Sequence, residues 1–347
     1  MQEYSAEITK KLIVKKINKK YAIYFALLFQ LLFYVSCRNS VYSDTKEYGL
    51  FTKNIVEDGI SRRYAIYVPQ HIGTSLVPLV FELHGGGVYI EDMTGESGYK
   101  TPYKLWIELA DNKKFIVVYP EGLDGAYDKP TWNDCREDCI VSSNADDVRF
   151  INELINIIGK EYPIDKNRIY VSGTSNGGFM AQRLGIELND KIAAIASIAA
   201  AMPASADCNP PNTPVSILFM NGTNDNHMPY NGGIIGNPPN PNNGTVLSTA
   251  ETIEYWINFN NTDTIPETYT YPDLDTTDGG YVQRFLYKNG NMGTEVVLYK
   301  VIGGGHSAPS IREQYSTIYE HYFNKQNHDI EMTTEVWNFF NNKTLNH

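Results

Sequence analysis

The stretch Arg168-Ile169-Tyr170-Val171-Ser172-Gly173-Thr174-Ser175-Asn176-Gly177-Gly178-Phe179-Met180 constrains this chain more than any other. Ile169, Tyr170 and Val171 form a short β-prone apolar run, the pattern of a buried strand. Glycines stand two positions before and two after Ser175, and an amphipathic pattern follows. A strand that turns into a helix about a single residue strains that residue, and the flanking positions cannot carry bulky Cβ groups. The helix start then presents its N–H groups to any charge developing at the serine. The alternative is an ordinary glycine-rich strand–helix connection; the strand before and the amphipathic helix after argue against it.

The same alternation runs through the rest of the chain. Strands are expected over residues 63–68, 78–83, 115–119, 192–200, 215–220, 281–287 and 295–301. Helices are expected over 103–110, 147–162, 249–259 and 331–341. Within the second of these, Val148, Ile151, Leu154, Ile155 and Ile158 recur at helical spacing. Strands alternating with helices imply an α/β fold, a doubly wound and mainly parallel sheet with helices on both faces. Residues 231–246 are dense in Gly, Pro and Asn and read as a loop excursion. Asp273, Asp275 and Asp278 lack the glycine and terminal glutamate of a calcium loop, so a solvated turn is expected. No repeat or linker divides the chain, and residues 56–347 are expected to form a single domain preceded by a tether over 38–55.

Charge excludes one class of partner. The net charge is −11, and the first 36 residues hold six lysines against two acids, so the remainder is more acidic still. Nucleic acid, which needs basic patches, is not an expected partner. The lysines precede an apolar run over residues 21–36 that ends at Val35-Ser36-Cys37. This is the layout of an export signal, too short for a membrane span. Residues 1–37 are therefore expected to be a signal peptide of lipoprotein type with Cys37 acylated, although Tyr34 departs from the usual leucine. An uncleaved anchor or ordinary secretion are the alternatives. The protein is expected outside the cytoplasm, in the cell envelope or secreted, touching membrane only through the lipid. Cys135 and Cys139 lie four apart, a spacing that allows a local disulfide in an oxidising compartment and leaves Cys208 free. No histidine pair sits near these cysteines at ligand spacing, so neither a metal nor a cofactor is expected.

A serine hydroxyl is a poor nucleophile and needs a base, which needs an orienting carboxylate. The chain supplies both after Ser175. Asn221-Gly222-Thr223-Asn224-Asp225 follows one expected strand, and Ile302-Gly303-Gly304-Gly305-His306 follows another. Active sites of open α/β sheets collect at such C-terminal strand ends. Asp225 and His306 are thus the candidate acid and base; Asp207 is the rival acid, but it lies in the 203–214 loop rather than directly after a strand. His84-Gly85-Gly86-Gly87 also follows a strand, and the amides of Gly86 and Asn176 are the candidate oxyanion hole. His84 itself is expected to be structural.

These motifs resemble the secreted esterase family of polyhydroxybutyrate depolymerase-like proteins, feruloyl esterases and acetylxylan esterases, which have the α/β-hydrolase fold. The resemblance rests on His84-Gly85-Gly86, Tyr119-Pro120-Glu121-Gly122, Trp132-Asn133, Asp146-Asp147-Val148 with Phe150, the Asp165-to-Gly178 elbow, Gly222-Thr223 with Asp225 and Pro229-Tyr230, and Gly304-Gly305-His306. It implies Ser175 as nucleophile, Asp225 as acid, His306 as base and Trp132 near the substrate. Trp132 and Tyr230 are the candidate substrate-binding residues, with packing into the loops' own core as the alternative. Two departures stand out. Ala308 occupies a position where the family often has tryptophan, which implies a wider or less aromatic cleft near the base. Asn260-Asn261 lacks a family cysteine, which leaves Cys208 without its partner.

The expected function is hydrolysis of carboxylic esters, on a polysaccharide-linked ester or polyester, through an acyl-enzyme. The competing readings are a serine peptidase of the prolyl-oligopeptidase type, which shares the triad order, and an inactive surface-binding lipoprotein.

Overall fold

The apolar runs pair into one ten-stranded sheet in the computed structural model, which describes residues 47–99 and 101–345. In chain order its strands are β1 (Gly49–Glu57), β2 (Ile60–Val68), β3 (Val77–Leu83), β4 (Ile116–Pro120), β5 (Ile164–Thr174), β6 (Ala194–Ile198), β7 (Ser216–Gly222), β8 (Glu267–Thr270), β9 (Tyr281–Tyr287) and β10 (Val296–Ile302). In space they run β1-β2-β4-β3-β5-β6-β7-β10-β9-β8. The central strands from β4 to β10 are parallel, and antiparallel strands close both edges. Strands buried on both faces read as continuous apolar runs, and β3, β4, β6 and β7 are buried at every residue.

Helices cover both faces. Alternate strand residues feed two cores, since successive side chains of a strand point to opposite sides. Phe81 and Val118 pack with α3 (Asp147–Glu161), α4 (Asn176–Glu187) and α5 (Thr249–Asn260) through Phe150, Leu184 and Trp256. Val80 and Tyr119 pack with α1 (Ile90–Thr94), α2 (Leu105–Lys113) and α7 (Met332–Phe340) through Met93, Trp106 and Trp337. The remaining helix, α6 (Thr317–Phe323), buries none of its residues. Local chemistry fixes the helix starts. Asp146 caps α3 by accepting from the Arg149 amide at 3.1 Å, and Ser248 and Glu251 cap α5 reciprocally.

Two expectations need correction. Part of the expected 38–55 tether is β1, paired along its length with β2 as the sheet's outermost strand. The local Cys135–Cys139 disulfide does not form: Cys135 is bonded to Cys208, and Cys139 is free. The Asp207 amide donates to the Cys135 carbonyl and Arg136 bridges Ala206, so the two segments already run side by side at the bond. The expected solvated turn over Asp273–Asp278 is present. Asp275 accepts from Thr277 and Asp278 from Gly280, so both carboxylates serve backbone turns. Residues 1–37, the expected signal peptide with Cys37, lie outside the described residues.

One carboxyl in the sheet is out of keeping with its surroundings. Glu82 on β3 is fully buried, accepts from Trp106 Nε1 at 2.8 Å, and faces Ser172 across the ladder. Burial pushes its pKa up to about 8. The folded state therefore binds this proton more tightly than the unfolded chain, and stability falls as pH rises from the ordinary glutamate value toward about 8. Glu82→Gln keeps the shape and removes the titration. Its melting temperature should exceed the parent's by a margin that widens between about pH 5 and pH 8; a margin independent of pH contradicts a protonated Glu82.

Candidate active site

Ser175 sits at the tip of the β5–α4 turn with φ 56° and ψ −120°, a conformation L-residues avoid. Its amide donates to the Ile198 carbonyl at 2.8 Å, and its own carbonyl accepts from Gly178 and Phe179. The flanking glycines permit this by close approach. A Cβ on Gly173 would lie 2.3 Å from the Gly177 carbonyl oxygen, and one on Gly177 would lie 2.4 Å from that of Leu83. No side chain fits between these backbones, which is the physical content of the Gly-x-Ser-x-Gly spacing.

Asp225 and His306 are brought together from the ends of β7 and β10. His306 Nδ1 lies 2.7 Å from Asp225 Oδ2, and both side chains are buried. Asp225 Oδ1 accepts from the amides of His227 and Met228 at 2.8 and 2.6 Å, so one oxygen is anchored and the other is left for the imidazole. The two loops interlock: Asn224 donates to the Gly304 carbonyl and Gly303 donates to Thr223 Oγ1. Segment 317–325 buttresses both. Tyr319 donates its hydroxyl to the His306 carbonyl at 2.7 Å, the His306 amide donates to the Phe323 carbonyl, and Asn226 donates to the Tyr322 carbonyl. The rival Asp207 is exposed, in the loop beside the disulfide.

The two candidate oxyanion amides lie where β3 and β5 end. Gly86 and Asn176 line the same cleft as Ser175, and neither amide has a hydrogen-bond acceptor among the described residues. Their neighbours in the glycine run are occupied, Gly87 donating to the Pro130 carbonyl and Val88 to that of Gly85. His84 is structural. Its Nε2 accepts from the Gly122 amide at 2.9 Å, so Nδ1 carries the proton and donates to the Gly85 carbonyl. Burial lowers its pKa to about 4, which keeps the ring neutral.

The candidate substrate-binding residues are corrected. Trp132 is fully buried, and its indole N–H donates to the His84 carbonyl at 2.9 Å. Its backbone brackets the Asn176 side chain: Asn176 Oδ1 accepts from the Trp132 amide, and Asn176 Nδ2 donates to the Trp132 carbonyl. Trp132 is therefore a brace between the glycine loop and the helix start, not a face offered to substrate. Tyr230 is half-buried beneath Lys300, its hydroxyl pKa pushed up to about 12 by burial, and it does not line the cleft. Ala308 is fully buried in the core, and the aromatic rings beside His306 are Phe323 and His227.

The cleft beside Ser175 has a volume of about 290 Å³. Phe179, Met228, Ile235 and Val141 give it apolar walls, and Arg136, His227 and Asn243 give it polar ones. Arg136 stacks 4.4 Å over Phe179 and forms a buried ion pair with Asp134, whose carboxylate also accepts from Asn176 Nδ2. The disulfide at Cys135 ties this turn to residue 208. None of Asp134, Arg136, Phe179 and His227 stands out in the sequence. Their only signal is proximity to Trp132, Ser175 and Asp225 along the chain, and the folding of residues 227–246 over the cleft brings them together.

No protein-family model matches the chain. It is 30% identical over 174 residues to a bifunctional acetylxylan esterase/xylanase of Neocallimastix patriciarum, covering 50% of this chain and 23% of that protein. It is 31% identical over 222 residues to feruloyl esterase B of Piromyces equi, covering 61% of this chain and 36% of the other. The chain thus spans well under half the length of each of these relatives. The acetyl xylan esterase structure from Aspergillus awamori superposes with a TM-score of 0.51 at 15% identity, over 84% of this chain and 99% of that one. The described residues therefore have the α/β-hydrolase fold, and the chain is a sequence relative of acetylxylan and feruloyl esterases.

Proposed function

We propose that this chain is a serine esterase that hydrolyses carboxylic esters through Ser175, His306 and Asp225. The observation that carries the reading is the buried 2.7 Å contact between His306 Nδ1 and an Asp225 carboxylate already anchored by two backbone amides, at the sheet edge that also holds the strained Ser175. With Nδ1–H donated to Asp225, the other ring nitrogen is an acceptor, the tautomer a general base requires.

In this reading His306 takes the Ser175 hydroxyl proton as Oγ bonds to the ester carbonyl carbon. The carbonyl oxygen gains negative charge and is met by the amides of Gly86 and Asn176, each worth about 3 kcal/mol in the transition state. The imidazolium, stabilised by Asp225, returns its proton to the departing alcohol and leaves an acyl-serine. Water repeats the sequence: His306 accepts its proton, the hydroxide adds to the acyl carbon, and Ser175 Oγ leaves with the proton restored. Asp134, Trp132 and the disulfide hold the Asn176 side of this arrangement in register.

The names of the relatives support esters of sugars and phenolic acids as the substrate class. The test is kcat/KM over matched acetyl, butyryl, feruloyl and palmitoyl esters, with a peptide series alongside. Short or aryl esters should be preferred, and Ser175→Ala should reduce kcat by roughly 10⁵- to 10⁶-fold without loss of fold. A palmitoyl preference, or peptide cleavage without ester cleavage, contradicts the reading. Export with Cys37 acylated belongs to the same proposal. A mature N-terminus at Cys37 carrying lipid, read by mass spectrometry, is the expected result, and a lipid-free protein beginning elsewhere refutes the anchor.

A further inference from the structure

The mechanism gives no task to His227, a polar side chain of the cleft. His227 lies two residues beyond Asp225 and lines the cleft together with Ser175 and Asn176. Its backbone is clamped at both ends, the amide donating to Asp225 Oδ1 at 2.8 Å and the carbonyl accepting from Gly236 at 2.8 Å. Its ring packs in a triangle with two others, its centroid 4.9 Å from His306 and 5.7 Å from Phe323, which lie 5.8 Å from each other. The side chain is thus held in place, yet neither ring nitrogen has a hydrogen-bond partner among the described residues.

The ring's chemistry narrows what it can meet. Burial and the neighbouring His306 lower its pKa to about 4, so near neutral pH it is an uncharged imidazole. Such a ring offers one N–H donor and one bare nitrogen acceptor. A carboxylate uses only donors and an ammonium only acceptors, whereas a hydroxyl both donates and accepts. Met228, Ile235 and Phe179 make much of the surrounding wall apolar, so the imidazole is a localised polar handle there. The handle lines the same cleft as Ser175 and packs beside His306, so it faces the space in which the ester would be attacked.

We propose that His227 is a substrate-recognition residue that hydrogen-bonds a hydroxyl carried close to the scissile ester, so that the preferred substrates are hydroxylated esters. The proposal rests on the esterase reading and deepens it. The hydroxyl can belong to the acyl part or to the alcohol part, and the test separates the two. One neutral hydrogen bond of this kind discriminates by roughly three- to tenfold.

The experiment measures kcat/KM on ethyl butyrate, ethyl 3-hydroxybutyrate and 2-hydroxyethyl butyrate with the full chain, His227→Phe and His227→Gln. The parent should favour one hydroxylated ester over ethyl butyrate by roughly three- to tenfold, mainly through KM, and the favoured ester identifies the side. His227→Phe keeps a ring against His306 and should bring that ratio close to one. His227→Gln keeps a donor and an acceptor and should retain part of it. No preference in the parent overturns the proposal, as does a preference that survives in His227→Phe. A parallel fall on all esters with the ratio preserved makes His227 a mere support for His306 and also overturns it. Should His227→Phe fail to fold, His227→Leu is read by the same ratio. Absence of turnover on all three esters refutes the esterase reading itself, and the proposal with it.

Discussion

The close approach of three backbones at the elbow is the constraint from which the site follows. The end of β3, the end of β5 and the first turn of α4 meet with no room for side chains at Gly173 and Gly177. That contact turns Ser175 into left-handed backbone and lifts it to the sheet's edge. Such a conformation costs on the order of 1–3 kcal/mol and persists only where the surroundings enforce it. Here they do. β5 lies between β3 and β6 with parallel partners on both sides, and the Ser175 amide is tied to the end of β6. The strain is held by the buried C-terminal half of β5 and its two parallel neighbours.

The candidate acid and base depend on the same edge but are held by longer reach. Asp225 and His306 emerge from neighbouring parallel strands, β7 and β10, and their loops lock to one another before the side chains meet. On the other flank, Trp132 and Asp134 clasp the Asn176 side chain, the Asp134–Arg136 ion pair packs on Phe179, and a covalent bond ties residue 135 to residue 208. The buried Asp147, paired with Arg62 and accepting from the Asn133 amide at 2.7 Å, extends this clasp to the start of α3. Four segments distant in sequence thereby fix one cleft. In the proposed reaction a substitution at Asp134 or Asp147 would act through backbone placement, since neither lines the cleft.

Much of the frame was legible because periodicity reports burial. The central strands and α3, α4, α5 and α7 carry apolar faces, and their patterns located them to within a few residues. Most of what escaped had little burial to report, and the five-residue α1, though half-buried or deeper, is too short to show a period. The edge strand β1 is half-exposed along its length, β8 is exposed at all four residues, and α6 buries none. The Asp225–His306 contact was foreseeable from chain order and strand ends, because loops after neighbouring parallel strands open at the same edge. Trp132 illustrates the opposite case. An aromatic in a loop at that edge reads as substrate-facing, but its indole N–H found the His84 carbonyl and drew the ring inside. Pairing of Cys135 with Cys208, 73 residues apart, depends on tertiary proximity that no local spacing encodes. His227 was invisible for a related reason, since its neighbours His306 and Phe323 come from another part of the chain.

In the proposed mechanism the buried Asp225–His306 pair activates Ser175 and no other serine. The most direct test is stoichiometric labelling with a fluorophosphonate, followed by peptide mass spectrometry, in the parent, Ser175→Ala and Asp225→Asn proteins. One adduct per chain is expected, on Ser175, absent in Ser175→Ala and formed at a rate lower by roughly 10⁴-fold in Asp225→Asn, where the imidazole loses its orienting charge. An adduct on another residue, or labelling of Ser175 at an unchanged rate in Asp225→Asn, contradicts the mechanism.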